Sequence, residues 1–228
     1  MLIGGFQKTS LIDYPKKIAA IVFTHGCNFR CHYCHNPELV TGAEKIADEN
    51  AILGFLDTRK GKLDGIVVTG GEPCLQKDLP EFLAKLKDKG FDVKLDTNGS
   101  RFDMLENVVL KGLVDYIAMD IKAPLTKYKK IIDTDIDIAE IENSIDLIMS
   151  CGIDYEFRTT VTEALLTVED FEEIGAVVEG AKKYFLQNFV YNKILNESFK
   201  DAKPFTHAEL DRVAKILLDH GIEQVHIR

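Results

Sequence analysis

Short apolar runs alternate with longer amphipathic stretches along this chain. Ala19–Phe23 (AAIVF), Ile66–Val68, Val93–Leu95, Tyr116–Met119, Tyr155–Val161 and Tyr184–Val190 are each brief and rich in β-branched or aromatic residues. That pattern predicts six strands, most plainly in the alternating YEFRTTV of Tyr155–Val161. Helical spacing falls between them. Glu44–Arg59 repeats apolar residues at Ile46, Ala47, Ile52, Leu53, Phe55 and Leu56, and Gly61 follows. Asp78–Leu79–Pro80–Glu81 reads as a capping box opening a helix to Lys89, closed by Gly90. Phe102–Leu110 stops before Gly112, Ala139–Met149 before Gly152, and Val168–Lys183 starts at a Thr167 cap. Thr206–His220 opens with a second capping box, Thr206 to Glu209, and ends at Gly221.

The flanks differ. Leu2–Ile12 has apolar positions without a helical period and a turn at Gly4–Gly5, so it predicts a small β-ribbon. Asp13–Tyr14–Pro15 makes a turn, because the proline ring fixes its own φ and keeps Tyr14 out of the helical region. Gln224–Ile227 predicts a last, edge strand. Strand, loop and helix thus repeat about six times, which predicts parallel strands joined by right-handed crossovers. The fold class expected is α/β, a partial (β/α)6 TIM-like barrel, which gathers the strand ends on one rim better than a flat sheet does. The expected organisation is a single domain over 1–228, with a ribbon extension at 1–18, a barrel core at 19–190, and a C-terminal helix and edge strand at 191–228.

Composition narrows the class. At 228 residues the chain fits one α/β barrel, a unit of about 200–250 residues. No apolar run reaches the length of a membrane span. The start, MLIGGFQKTS, lacks the pattern of a signal peptide, so a cytoplasmic protein is expected. Net charge is −9, and the basic spots (Tyr14–Lys17, Lys127–Lys130, Ala181–Lys183) are short and set among acids. This argues against a general nucleic-acid binder. The five cysteines are sparse and odd in number, which argues against a disulfide framework.

Three of those cysteines lie in Thr24–Pro37, THGCNFRCHYCHNP, where Cys27, Cys31 and Cys34 have the spacing C-x3-C-x2-C. The loop leaves the carboxyl end of a strand, where open α/β sheets and barrels place their chemistry. Three thiolates with one position left open suit a reactive iron–sulfur cluster. A structural zinc site with His35 or Cys74 as fourth ligand is the competing reading, although no second CxxC pair is present. Three further strands end in Gly70–Gly71–Glu72–Pro73, Asp96–Thr97–Asn98–Gly99 and Met119–Asp120–Ile121–Lys122. Taken singly, these read as ordinary turns and an exposed salt bridge.

Together with the cysteine loop, they resemble the radical S-adenosylmethionine (SAM) family. GGFQKTSLIDYP followed by AAIVFTHGCNFRCHYCHNPEL is similar to the activating proteins of anaerobic ribonucleotide reductase, which are glycyl-radical-enzyme activases. The resemblance implies a [4Fe–4S] cluster on Cys27, Cys31 and Cys34 whose open iron is chelated by SAM. It implies reductive cleavage of SAM to methionine and a 5′-deoxyadenosyl radical, which takes a Cα hydrogen from a glycine in a partner enzyme. Gly70 and Gly71 would let backbone approach the methionine amino group, and Glu72 would accept a hydrogen bond from it. Asp96 would bind ribose hydroxyls or a monovalent cation, with Asn98 in the same motif. Asp120 and Lys122 would face the SAM carboxylate, Tyr33 would cradle adenine, and His35 would pack beside Tyr33. Arg158 and Gln187 are further candidates for SAM or partner contact. Cys74 stands where similar proteins more often have Thr and reads as a small buried residue. With Cys151 also isolated, no second cluster is expected. One departure is Tyr14–Pro15–Lys16–Lys17, where similar proteins tend to have Gly after the proline. The implied partners are a glycyl-radical enzyme, most simply anaerobic ribonucleotide reductase, and an electron donor such as flavodoxin or ferredoxin. A radical SAM enzyme for another protein or small molecule is the alternative, and behind it a non-catalytic zinc or iron–sulfur module.

Overall fold

The computed structural model of the protein describes residues 1–41 and 47–228. Its strands are β1 (Ile3–Ser10), β2 (Ala19–Thr24), β3 (Gly65–Gly70), β4 (Asp92–Thr97), β5 (Tyr116–Asp120), β6 (Asp154–Val161), β7 (Tyr184–Asn188) and β8 (Val225–Ile227). They form one eight-stranded sheet in sequence order. β1 pairs antiparallel with β2, and every later neighbour is parallel. The sheet is unclosed, with β1 and β8 at its two ends. The α/β partial barrel expected from the strand–helix alternation is therefore what the chain forms. The ribbon expected before it is a single strand added to its edge.

Period-two side-chain geometry gives the sheet two unlike faces. Ile66 and Val68 of β3, Val93 and Leu95 of β4, Ile117 and Met119 of β5, and Tyr155 and Phe157 of β6 all join the main apolar core. Helices cover that side: α3 (Leu79–Asp88) contributes Phe82, Leu83 and Leu86, and α4 (Phe102–Leu110) contributes Leu105 and Val108. The intervening positions carry Lys94, Asp96, Asp120, Glu156 and Arg158 toward the other face. Below them lies a small separate cluster of Tyr14, Ala19, Ile21, Val67 and Tyr116. Each fully buried side chain on the helix side stabilises the layer by about 1.5–3 kcal/mol. The opposite face is thereby free to be polar.

Several element ends differ from the expectation. The helix expected over Glu44–Arg59 begins at Glu49 and ends at Asp57 (after the short helix α1, Pro37–Thr41, this is α2), with the Asp48 carboxylate capping Asn50 N. Glu44–Ile46 lie outside the described residues. Asp78 precedes α3 but makes no side-chain cap, because its carboxylate is paired with the α-amino group of Met1. After α5 (Tyr128–Ile132) and α6 (Ile138–Ser150), α7 spans only Asp170–Val177, with Glu169 rather than Thr167 at its N-cap position. Thr167 instead donates its backbone N–H to Asp170, and Gly180 at φ +74° breaks the helix expected to continue to Lys183. β7 ends at Asn188, whose side-chain amide bonds both backbone groups of Phe205. α8 (His207–Asp219) opens with both halves of the expected Thr206–Glu209 capping box. The two five-residue helices α1 and α5 carry too few turns to show a period. Among the described residues no helix is long and apolar enough to cross a membrane.

Candidate functional site

The cysteine loop departs from β2 through Gly26, at φ +94°. The tip of β3 is laced to it by backbone: Gly71 N donates to Thr24 O (2.9 Å) and Glu72 N to Gly26 O (2.8 Å). This close approach explains the paired glycines. A Cβ on Gly70 would strike the Thr24 backbone, and one on Gly71 would strike the Gly26 carbonyl. Glu72 then ties this tip to the next. Its buried carboxylate accepts from Cys74 N (2.9 Å), Thr97 Oγ1 (2.8 Å) and Asn98 N (2.7 Å). Burial pushes the Glu72 carboxyl up, and these three donors offset that only in part. Asn98 in turn bonds Asn28 of the cysteine loop (3.0 Å), and Asn28 bonds Ser100 (2.7 Å).

One cavity of about 270 Å³ opens at these strand ends. Every site residue expected from the sequence lines it: Cys27, Cys31, Cys34, Tyr33, His35, Gly70, Gly71, Glu72, Asp96, Asn98, Asp120 and Lys122. The two weaker candidates, Arg158 and Gln187, line it as well. His35 has contacts beyond the cysteine loop. Its ring stacks on Phe189 (5.9 Å between centroids), and its Nε2 lies 3.1 Å from Val190 O. Cys74 is buried behind the cavity, 3.7 Å from Thr97 Oγ1, and Cys151 caps the end of α6.

The floor of the cavity is an alternating row of charges. Lys94 Nζ lies 2.7 Å from Asp96, and Asp96 lies 3.2 Å from Arg158 Nη1. Arg158 Nε donates to Asp120 (2.8 Å), and Asp120 pairs with Lys122 (3.0 Å). Glu156, 4.0 Å from Arg158, takes the hydroxyl of Tyr116 (3.0 Å). Burial opposes ionisation of both aspartates, but Arg158 with Lys94 or Lys122 outweighs it and holds each carboxyl below its usual value. Lys122 likewise stays charged despite burial because Asp120 faces it. Lys94, 2% exposed, is a cation that the sequence reading missed. Its signal was available: it lies two residues before Asp96, hence on the same face of β4. Asn28 was also missed, since nothing in its local pattern marks it.

The donor set can be tested against its two possible occupants. Burial pushes the Cys27 thiol up to about 12 and the Cys31 thiol up to about 11, so each would give up its proton only to a bound metal. A closed zinc site needs four ligands, each about 2.0–2.3 Å from one ion. Among the described residues no three His, Cys, Asp or Glu side chains converge on a single such point. The candidate fourth ligands, His35 and Cys74, are turned to Val190 and Thr97. Three thiols lining one cavity fit three corners of an iron–sulfur cluster. Tyr33 also lines the cavity, and among the described residues its buried hydroxyl has no hydrogen-bond partner.

Comparison with known families matches residues 21–180 to the Radical SAM superfamily. The chain belongs to the radical SAM superfamily. Within it, the chain is 36% identical over 229 residues to MJ1227 of Methanocaldococcus jannaschii, provisionally named a glycyl-radical enzyme activating enzyme. The match covers 97% of this chain and 95% of that one, which places the chain in the glycyl-radical activating enzyme family as a radical SAM oxidoreductase. It is also 33% identical over 129 residues to the pyruvate formate-lyase-activating enzyme of Clostridium pasteurianum, covering 53% of this chain and 52% of that one. Among solved radical SAM folds, SuiB of Streptococcus suis superposes with a TM-score of 0.68 at 12% identity, over 91% of this chain and 48% of its own. The chain spans about half the length of SuiB. The structure of anSMEcpe with bound AdoMet superposes at 0.58 with 17% identity, over 89% of this chain and 61% of its own.

Proposed function

We propose that this radical SAM protein is an activase that reductively cleaves SAM to a 5′-deoxyadenosyl radical and thereby sets a glycyl radical in anaerobic ribonucleotide reductase. The observation that carries the chemistry is the cavity itself, where three thiols meet a polar floor. The family of activating enzymes gives the substrate class, a protein glycine. The reductase as partner is supported by the GGFQKTSLIDYP and HGCNFRCHYCHNPEL segments. When bound on Cys27, Cys31 and Cys34, a [4Fe–4S] cluster supplies the electron for cleavage.

The chain's own residues bind and orient. Glu72 lines the cavity with its carboxylate held by Cys74, Thr97 and Asn98, a fixed acceptor for the SAM ammonium. Lys122 gives one of its three donors to Asp120 and keeps the others for the SAM carboxylate. Tyr33, which lines the cavity, offers its ring to the adenine end. Both oxygens of Asp96 face cations, so it is better read as an acceptor for ribose hydroxyls. A monovalent cation there would sit against Lys94 and Arg158. An electron donor of the flavodoxin or ferredoxin class and a cytoplasmic setting complete the proposal.

The test is anaerobic: load iron and sulfide, reduce, add SAM, and assay 5′-deoxyadenosine beside Cys31→Ala. Electron paramagnetic resonance then follows a glycyl radical on anaerobic ribonucleotide reductase and, separately, on pyruvate formate-lyase. Product that depends on Cys31, with a radical on the reductase, is expected. No product refutes the chemistry, and a radical on the lyase alone refutes the partner.

A further inference from the structure

The segment following β7, residues 189–199, lies against the cysteine loop and holds it at His32 and His35. Leu195 N donates to Cys34 O (3.0 Å), and Asn196 N donates to His32 O (3.1 Å). The Asn196 side-chain amide meets His32 Nδ1 at 3.0 Å, and the Phe199 ring stacks on the His32 ring with centroids 5.0 Å apart. At the other grip, Val190 O lies against His35 Nε2 and Phe189 stacks on that ring. Between Cys31 and Cys34 the loop has one backbone bond of its own, Cys34 N to Cys31 O (3.0 Å). The carbonyls of His32 and Cys34 depend on the strap, whose anchor is 164 residues away in the chain.

Asn196 is oriented for this contact. Its Oδ1 accepts from Ser198 N (3.0 Å), which turns Nδ2 toward His32. His32 Nδ1 is then the acceptor, and the network assigns the ring proton to Nε2. The contact therefore has a defined direction.

Resting on the proposed reading of the cysteines, we propose that Asn196 is a positioning residue. By clamping His32 it fixes the separation of Cys31 and Cys34 and keeps water from the peptide groups beside their sulfurs. Partners one step removed from a metal's ligands orient those ligands, and their loss costs about 10–100-fold in metal affinity. Solvent exposure and hydrogen bonding around the sulfurs also set the potential of a cluster.

The test loads wild type, Asn196→Ala, His32→Ala and the double variant with iron and sulfide under anaerobic conditions. Two readouts need no SAM: the rate of iron release to excess chelator, and the midpoint potential of the bound cluster. Each single variant is expected to release iron about ten-fold faster or more and to shift the potential positive. The double variant is expected to be no worse than the more affected single, since both remove one contact. Lys193→Ala, which removes an exposed ion pair with Glu38 on the same segment, is expected to match wild type. Melting of the metal-free proteins checks the fold. If Asn196→Ala melts early, His32→Ala decides, because it leaves the Asn196–Ser198 bond intact. Single variants that hold iron at the wild-type rate and potential, or effects that multiply in the double, overturn the proposal. A wild type that takes up no iron would instead sink the cluster reading beneath it.

Discussion

Replacing Arg158 by Met removes the centre of the charge row at the cavity floor. The wild-type row balances three cations (Lys94, Arg158, Lys122) against three carboxylates (Asp96, Asp120, Glu156). The variant leaves two against three. At an effective dielectric constant of about 20, each of the two close ion pairs that Arg158 makes, at 2.8 and 3.2 Å, is worth about 5 kcal/mol of attraction. Release from burying a guanidinium offsets several kcal/mol of that sum, and removing one member of a buried group typically leaves a net loss of about 3–5 kcal/mol. Arg158 is 12% exposed and Asp96 13%, so solvent screens little of this. Urea unfolding of the metal-free protein measures the loss, with Arg158→Lys as the intermediate case because an ammonium cannot bridge two carboxylates as a fork does. A loss under about 1 kcal/mol, the value of an exposed pair, would falsify the claim that this row is a buried unit.

Acid provides an independent check on the same groups. The folded state holds Asp96 and Asp120 below their usual values, so their stabilisation is complete above the unfolded value of about 4 and is lost as pH falls through the lowered ones. Wild type should show no loss from these two groups between pH 7 and 5, and Arg158→Met should move the acid transition upward; an unmoved transition would contradict the pairing. Gly71→Ala drives a methyl into the Gly26 carbonyl, shifting the β3 tip relative to the cysteines. A displacement of about 1 Å costs roughly a hundred-fold in rate, and 5′-deoxyadenosine formation near wild type would show that the tip tolerates it. Thr206→Ala removes the capping box of α8 and should cost about 1 kcal/mol in a thermal melt, whereas an unchanged melting temperature would mean that packing alone sets that helix end.

The parts legible in the sequence were those decided locally. Val93 and Leu95 alternate with Lys94 and Asp96 over a few residues, and three cysteines within eight positions mark the loop that lines the cavity. What stayed hidden was decided by partners distant in the chain. Asp78 resembles a helix cap, but the α-amino group of Met1 takes its carboxylate. Arg158 looked peripheral on its own strand, and only the parallel pairing of β4, β5 and β6 sets it between Asp96 and Asp120. The strap shows no periodicity at all, because its bonds go to loop carbonyls and histidine rings and follow no repeat of its own.

The sheet's order is also the order of synthesis, and this separates two events in time. From β2 onward each strand has as its neighbour the one made just before it, so every pairing partner on that side is already synthesised when a strand emerges. The cysteine loop is made near the beginning of that process, yet Asn196 follows His32 by 164 residues. At about 5–20 residues per second, roughly ten to thirty seconds pass between the two. Until then the cysteine loop lacks the partners of the His32 and Cys34 carbonyls. The loop and the strap that grips it are thus separated in time by nearly the whole sheet, and the strap can close only after β7 has been made.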